Sequence, residues 1–107
     1  MGFENIKPAL ISYIRRLEKN IAVSKAIVFG SYASGKARKD SDVDLLILSD
    51  DFAKFDEDER EKLLYRNSVG FPIDLHVYGL TPKEFSSASP LTALGTIHDQ
   101  KTIHISD

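Results

Sequence analysis

In this 107-residue sequence, one Gly-Ser pair and three aspartates have the types and spacing to do chemistry. Gly30-Ser31 follows a short apolar run, Ala26-Ile27-Val28-Phe29. Ten residues later, Asp42-Val43-Asp44 opens a second run, Leu45-Leu46-Ile47-Leu48. A glycine that ends a buried strand lets the backbone approach a ligand closely. The free N–H groups at the start of the helical turn that follows favour a phosphate, and the Ser31 hydroxyl can donate to a phosphate oxygen. On a strand, residues two apart face the same side, so the carboxylates of Asp42 and Asp44 converge. Two carboxylates held together repel, and a divalent cation relieves that repulsion. Hard oxygen ligands suit Mg²⁺ or Mn²⁺ rather than zinc. Each half also has a plain structural explanation. Gly30-Ser31 can be a helix cap after a glycine turn, and Asp40, Ser41 and Asp42 can be turn formers before a strand. At the ends of two consecutive, neighbouring strands, however, the halves would set phosphate donors beside cation ligands.

Asp74 is the candidate third carboxylate. It lies inside the run Ile73-Asp74-Leu75-His76-Val77-Tyr78, which alternates with period two and reads as a strand pairing with the Asp42–Leu48 strand. An unpaired charge within such a run is costly. The alternative is a surface-facing aspartate sharing its face with His76 and Tyr78. Asp50, Asp51 and Asp56 compete for the role, but they stand past strand ends in turn-like contexts. Three carboxylates, two cations and a triphosphate cradle describe two-metal phosphoryl or nucleotidyl transfer. In that chemistry Asp42 and Asp44 share the metals, while Asp74 ligates the catalytic one and helps accept the proton of the incoming hydroxyl. Lys36, Arg38 and Lys39 are candidates to steady the phosphates, with a solvated basic loop as the simpler alternative.

The elements that must position these residues follow from periodicity. Ile6, Leu10, Tyr13, Ile14 and Leu17 recur at helical steps, which predicts an amphipathic helix over about Asn5 to Asn20 with Pro8 tolerated in its first turn. Ala26 to Phe29 and Val43 to Leu48 read as buried strands, and Ser31 to Ala37 as a short helical turn weakened by Gly35. Asp56-Glu57-Asp58-Glu59 followed by Arg60, Lys62 and Arg66 has the charge order of a helix, with Leu63 and Leu64 inside. Thr81-Pro82-Lys83-Glu84 is a capping box that starts another helix. A last helical piece within Pro90 to His98 and a short strand over Lys101 to Ile105 complete the reading. His98 and His104 lack partners at metal-ligand spacing and read as structural or solvated. The order predicts one α/β (α+β) domain over residues 1–107, a mixed sheet with helices against it.

Composition excludes several classes. There are no cysteines, so neither a disulfide framework nor a thiolate metal site is available, which fits a reducing compartment and a cytoplasmic protein. The polar start with Pro8 is not a signal peptide, and no apolar run approaches membrane-span length. A net charge of −2 leaves no basic footprint for strong binding of long nucleic acids.

Gly30-Ser31, ten residues, then Asp42-Val43-Asp44 resembles the G-S-x10-D-x-D signature of the DNA polymerase beta-like nucleotidyltransferase superfamily. The wording Gly30-Ser31-Tyr32-Ala33 through Ser41-Asp42-Val43-Asp44-Leu45-Leu46 is similar to its small stand-alone members, the minimal nucleotidyltransferases (MNT). The resemblance spans about Ala26 to Tyr78. It implies a polymerase beta-like fold, Mg²⁺ (two ions) with ATP or another NTP, and transfer of a nucleoside monophosphate to a hydroxyl. It also implies a helical HEPN-type toxin as partner, some relatives being similar to enzymes that adenylylate that partner on tyrosine. Gly30, Ser31, Lys36 and Arg38 then hold the nucleotide, and Asp42, Asp44 and Asp74 are catalytic and metal-binding. Ser34 stands where relatives often carry Arg, which leaves that phosphate contact to Lys36 or Arg38. With no larger acceptor-binding domain in these residues, acceptor identity would come from a partner or from a homo- or hetero-oligomer. The alternative is a non-catalytic antitoxin that neutralises its partner by contact. Transfer to a small-molecule hydroxyl is a third, weaker reading.

Overall fold

The computed structural model describes residues 2–38, 41–89, 91–92 and 94–105. Lys39, Asp40, Pro90 and part of the predicted last helical piece therefore lie outside the described residues. The elements run α1 (Phe3–Leu17), β1 (Lys25–Phe29), α2 (Ser31–Ser34), β2 (Val43–Leu48), α3 (Glu57–Ser68), β3 (Leu75–Leu80), α4 (Pro82–Ser87) and β4 (Ile103–Ile105). Two 3-10 turns, Asp50–Lys54 and Gly95–Asp99, sit among them.

The four strands form one mixed sheet in the order β3-β2-β1-β4. β1 is antiparallel to β2 and to β4, while β2 and β3 are parallel. Thirteen residues between β1 and β2 suffice for an antiparallel return. The parallel β2–β3 pair needs a longer crossover, and α3 supplies it. This is the expected mixed sheet with helices against it.

Alternation along the strands divides the core by sheet face. Ala26 and Val28 of β1 and Val43, Leu45 and Ile47 of β2 face α1 and α3. There they meet Ile6, Leu10, Tyr13, Ile14 and Leu17 of α1 and Leu63 and Leu64 of α3. The Tyr13 hydroxyl, fully buried, donates to the Leu64 carbonyl at 2.8 Å and ties the two helices. On the other face, Ile27, Leu46 and Leu48 pack with Ile97, and with Phe29, Leu80, Phe85 and Leu94 around them. The second face is thus roofed at one end by α4 and the C-terminal 3-10 turn. Asp44, in phase with Leu46 and Leu48, belongs to this second face.

Arg60 locks the roof to the rest of the domain. It donates to the carbonyls of Phe55 (3.1 Å), Phe52 (2.7 Å) and Gly79 (3.2 Å), and pairs with Glu84 at 2.9 Å. Glu84 closes a capping box on Thr81, and Asp56 closes one with Glu59 at the start of α3. Gly79 is required by packing, since a Cβ there would meet the Phe52 ring at 2.7 Å.

Several boundaries differ from the sequence reading. α1 ends at Leu17 rather than Asn20. α2 ends at Ser34, because Gly35 adopts φ 79°, ψ 13°, the left-handed cap conformation. β3 begins at Leu75, after the Pro72 loop, and runs on to Leu80. The segment read as a turn at Ser49-Asp50-Asp51 continues as a 3-10 turn that buries Phe52 completely, with Ser49 accepting the Asp51 N–H at 3.1 Å.

Candidate active site

The open end of the second sheet face is where β1 finishes and β2 starts. Phe29 pairs with Asp44 across the antiparallel ladder, so Gly30 follows β1 directly beside the Asp44 side chain. Gly30 adopts φ 72°, ψ −145°, a conformation that L side chains avoid. A Cβ at Gly30 would also overlap the Asp44 carboxylate, with Cγ at 3.3 Å and Oδ2 nearer still. Two separate requirements therefore select glycine here. Gly30 of the Gly-Ser half thus lies directly against Asp44 of the Asp-x-Asp half.

α2 is a single turn. Gly30 stands at its N-cap without a side-chain cap, Ser34 N–H donates to the Gly30 carbonyl at 3.0 Å, and Lys36 N–H donates to the Ser31 carbonyl at 2.9 Å. Tyr32 anchors the turn in the core, while Ser31 stays half-buried. The main-chain N–H groups of the first turn have no partner within a helix. The loop onward closes on itself: Arg38 N–H donates to Ser41 Oγ at 2.7 Å and Ser41 N–H to the Arg38 carbonyl at 3.0 Å. Lys36 and Arg38 are exposed, and among the described residues neither forms an ion pair with Asp42 or Asp44. Lys39 lies outside the described residues.

Asp42 and Asp44 share the face, as period two requires. Across the parallel ladder, Asp44 pairs with His76. His76 Nε2 stands 3.4 Å from Asp42 Oδ2 and Nδ1 stands 4.0 Å from Asp44 Oδ1. Partial burial raises the Asp44 carboxyl above its usual range. His76 counters this, and the neighbouring Asp42 carboxylate adds to it. A half-buried Asp44 beside an exposed Asp42 offers hard oxygen donors whose mutual repulsion a divalent cation relieves, so the pair fits Mg²⁺ or Mn²⁺.

Asp74 stands one residue before β3, where its carbonyl accepts the Val43 N–H at 2.8 Å. Its strand does pair with β2, one register step outside the Val43–Leu75 pair. Asp74, His76 and Tyr78 are exposed while Ile73, Leu75 and Val77 are half-buried, so Asp74 shares the face of the other two aspartates. Among the described residues, no set of three acidic or histidine side chains is gathered as metal ligands. The structure thus brings together Gly30, Asp42 and Asp44, with Asp74 at the neighbouring strand end, and leaves Lys36 and Arg38 on the loop. The residue that the sequence left out of the site is His76. Its two-residue spacing from Asp74 was the available signal, but its contact with both carboxylates depends on the parallel register of β3.

Residues 9–99 match the model of the nucleotidyltransferase domain family. Over 47 residues, 44% of this chain and 48% of the relative, the sequence is 41% identical to protein adenylyltransferase MntA of Thermococcus cleftensis. The match spans about half the length of that relative. A crystal structure described as a toxin-antitoxin with AMP-PNP superposes with a TM-score of 0.63 at 23% identity, covering 88% of this chain and 69% of that one. A putative nucleotidyltransferase from Sulfolobus solfataricus superposes with a TM-score of 0.55 at 19% identity, covering 92% and 86%. Both structures share the fold. With a family model matched over most of its length, this chain belongs to the nucleotidyltransferase domain family.

Proposed function

We infer that this protein is a Mg²⁺-dependent nucleotidyltransferase that moves a nucleoside monophosphate, AMP from ATP, to a hydroxyl on a partner protein. The observation that carries the reading is the contact between Gly30 and the Asp44 carboxylate, which puts a side-chain-free backbone beside the carboxylate pair. Gly30 and Ser31 hold the phosphates from the main chain, and Lys36 and Arg38 supply positive charge from the loop. Asp42, Asp44 and Asp74 hold the cations. Cations held there would supply charge neutralisation of the triphosphate and of the leaving pyrophosphate and would lower the pKa of the attacking hydroxyl. Asp74, exposed at the neighbouring strand end, accepts the proton of that hydroxyl. Since the match covers about half of the adenylyltransferase relative, the acceptor is proposed to be a helical HEPN-type toxin partner, with this chain as its antitoxin. The shared fold with the toxin-antitoxin structure supports that setting. The protein is proposed to be cytoplasmic, and no helix among the described residues is long and apolar enough to cross a membrane.

The test is transfer of label from ATP, with Mg²⁺, to a candidate HEPN-type partner. Label on the α-phosphate should appear on the partner and label on the γ-phosphate should not. Asp42→Asn and Asp44→Asn should abolish transfer. Equal transfer by the variants, or transfer of the γ label, rejects the reading. The contact of His76 with both carboxylates favours one second reading, in which the site is a structural ion cluster and the protein neutralises its partner by binding. In that case Asp42→Asn neutralises the partner as well as the wild type does.

A further inference from the structure

Phe29 and Tyr78 lie on the two strands that flank β2. Phe29 is directly opposite Asp44, and Tyr78 is opposite Leu46. Opposed residues share a face, so both rings stand on the carboxylate side of the sheet. The rings reach toward each other over β2, with centroids 6.0 Å apart and planes tilted by 43°. Behind them the face is roofed by Phe85, Leu94 and Ile97. In front of them it is open at Asp42, Asp44 and His76. The pair is therefore the wall between the covered and open halves of the face. Phe29 is half-buried in the roofed cluster, whereas Tyr78 is 40% exposed. From the Asp44 row to the Tyr78 row is one same-face step, about 7 Å along the strand. A ribose bridges that distance between a phosphate and a base.

We propose that the Phe29–Tyr78 pair is the stacking surface for the nucleobase, with Tyr78 a positioning and specificity residue that favours purine over pyrimidine nucleotides. A nucleotide held by its phosphates at Gly30-Ser31 and the aspartates can extend either toward solvent or along the face toward this wall. Only the second course gives its base an aromatic partner. Stacking is indifferent to hydrogen-bonding pattern but grows with ring area, so purines gain more than pyrimidines. The proposal rests on the nucleotidyltransferase reading.

Calorimetric titration of the full chain with Mg²⁺ and either ATP or inorganic tripolyphosphate tests it. Tyr78→Ala should weaken ATP binding about tenfold, the scale of one lost base–aromatic stack. It should leave tripolyphosphate binding unchanged. Tyr78→Phe should restore ATP binding. ATP binding unchanged in Tyr78→Ala overturns the proposal, and so does equal weakening of ATP and tripolyphosphate, since a fold or phosphate effect would explain it. Failure of the underlying reading looks different: the wild type then binds neither ligand, or binds both without change in Asp44→Asn.

Discussion

Gly30→Ala tests whether the two halves of the motif are physically one site. The substitution meets two separate penalties. At φ 72°, ψ −145° a side chain strains the backbone, on the order of 2 kcal/mol. The new Cβ would also overlap the Asp44 carboxylate, forcing that side chain off its rotamer for about 1 kcal/mol more. With an unfolding entropy of about 2.1 cal/mol/K per residue, a total of ~3 kcal/mol lowers Tm by about 13 °C for a domain of this size. Gly35→Ala is the control. It too stands at positive φ, but nothing lies within 4 Å of its added Cβ, so it costs only about 1 kcal/mol and ~5 °C. The decisive comparison is an Asp44→Ala background. Removing the carboxylate leaves only Asp44 Cβ, at an ordinary 3.5 Å. Gly30→Ala should then cost about 1 kcal/mol less, while the cost of Gly35→Ala should not change. Denaturant titration of the wild type, the three single variants and the two double variants gives the coupling. A Gly30→Ala penalty no larger than that of Gly35→Ala, or one unchanged in the Asp44→Ala background, refutes the reasoning.

Other outcomes follow from the same contacts. Because burial raises the folded Asp44 carboxyl, its ionised form destabilises the native state. That cost is absent in acid, where the group is protonated folded or unfolded, and it develops as pH rises through and above the usual carboxylate range. Asp44→Asn should therefore raise Tm at pH 7 while abolishing transfer, and the gain should vanish near pH 3; no gain at pH 7 would contradict this. Glu84 has the opposite sign: its hydrogen bond from Arg60 lowers its carboxyl, so the stability it adds is present at neutral pH and lost on acidification. Glu84→Gln should flatten the acid side of the Tm–pH profile. Arg60→Ala strips the half-buried carbonyls of Phe52, Phe55 and Gly79 of a donor and should cost about 3 kcal/mol in denaturant titration. Tyr13→Phe removes the hydrogen bond that ties α1 to α3 and should cost about 1 kcal/mol in denaturant titration with little change in nucleotide binding.

Much of the fold could be read in the sequence where local pattern and burial agree. The α1 stripe of Ile6, Leu10, Tyr13, Ile14 and Leu17 is buried as its periodicity requires. The capping box at Thr81 forms as its residues specify. Phe52 was hidden because a single aromatic after Ser49-Asp50-Asp51 has no period, and its burial depends on Gly79 and Arg60, distant in sequence. The start of β3 was misread because Ile73-Asp74 continues the alternation, although the ladder takes only the Asp74 carbonyl. At the site, Gly30, Asp42 and Asp44 were legible because one short segment carries them all. His76 and the Phe29–Tyr78 wall were not, since both are products of strand register between segments that sequence spacing does not relate.

The central claim is that Gly30 to Asp44 is a single metal–nucleotide site. Calorimetric titration of AMP-PNP, which reads binding without turnover, tests it most directly. Binding should be saturable with Mg²⁺, collapse when the metal is chelated, and be lost in both Asp42→Asn and Gly30→Ala at a temperature where the variants remain folded. Binding that survives chelation, or that persists in either folded variant, contradicts the claim.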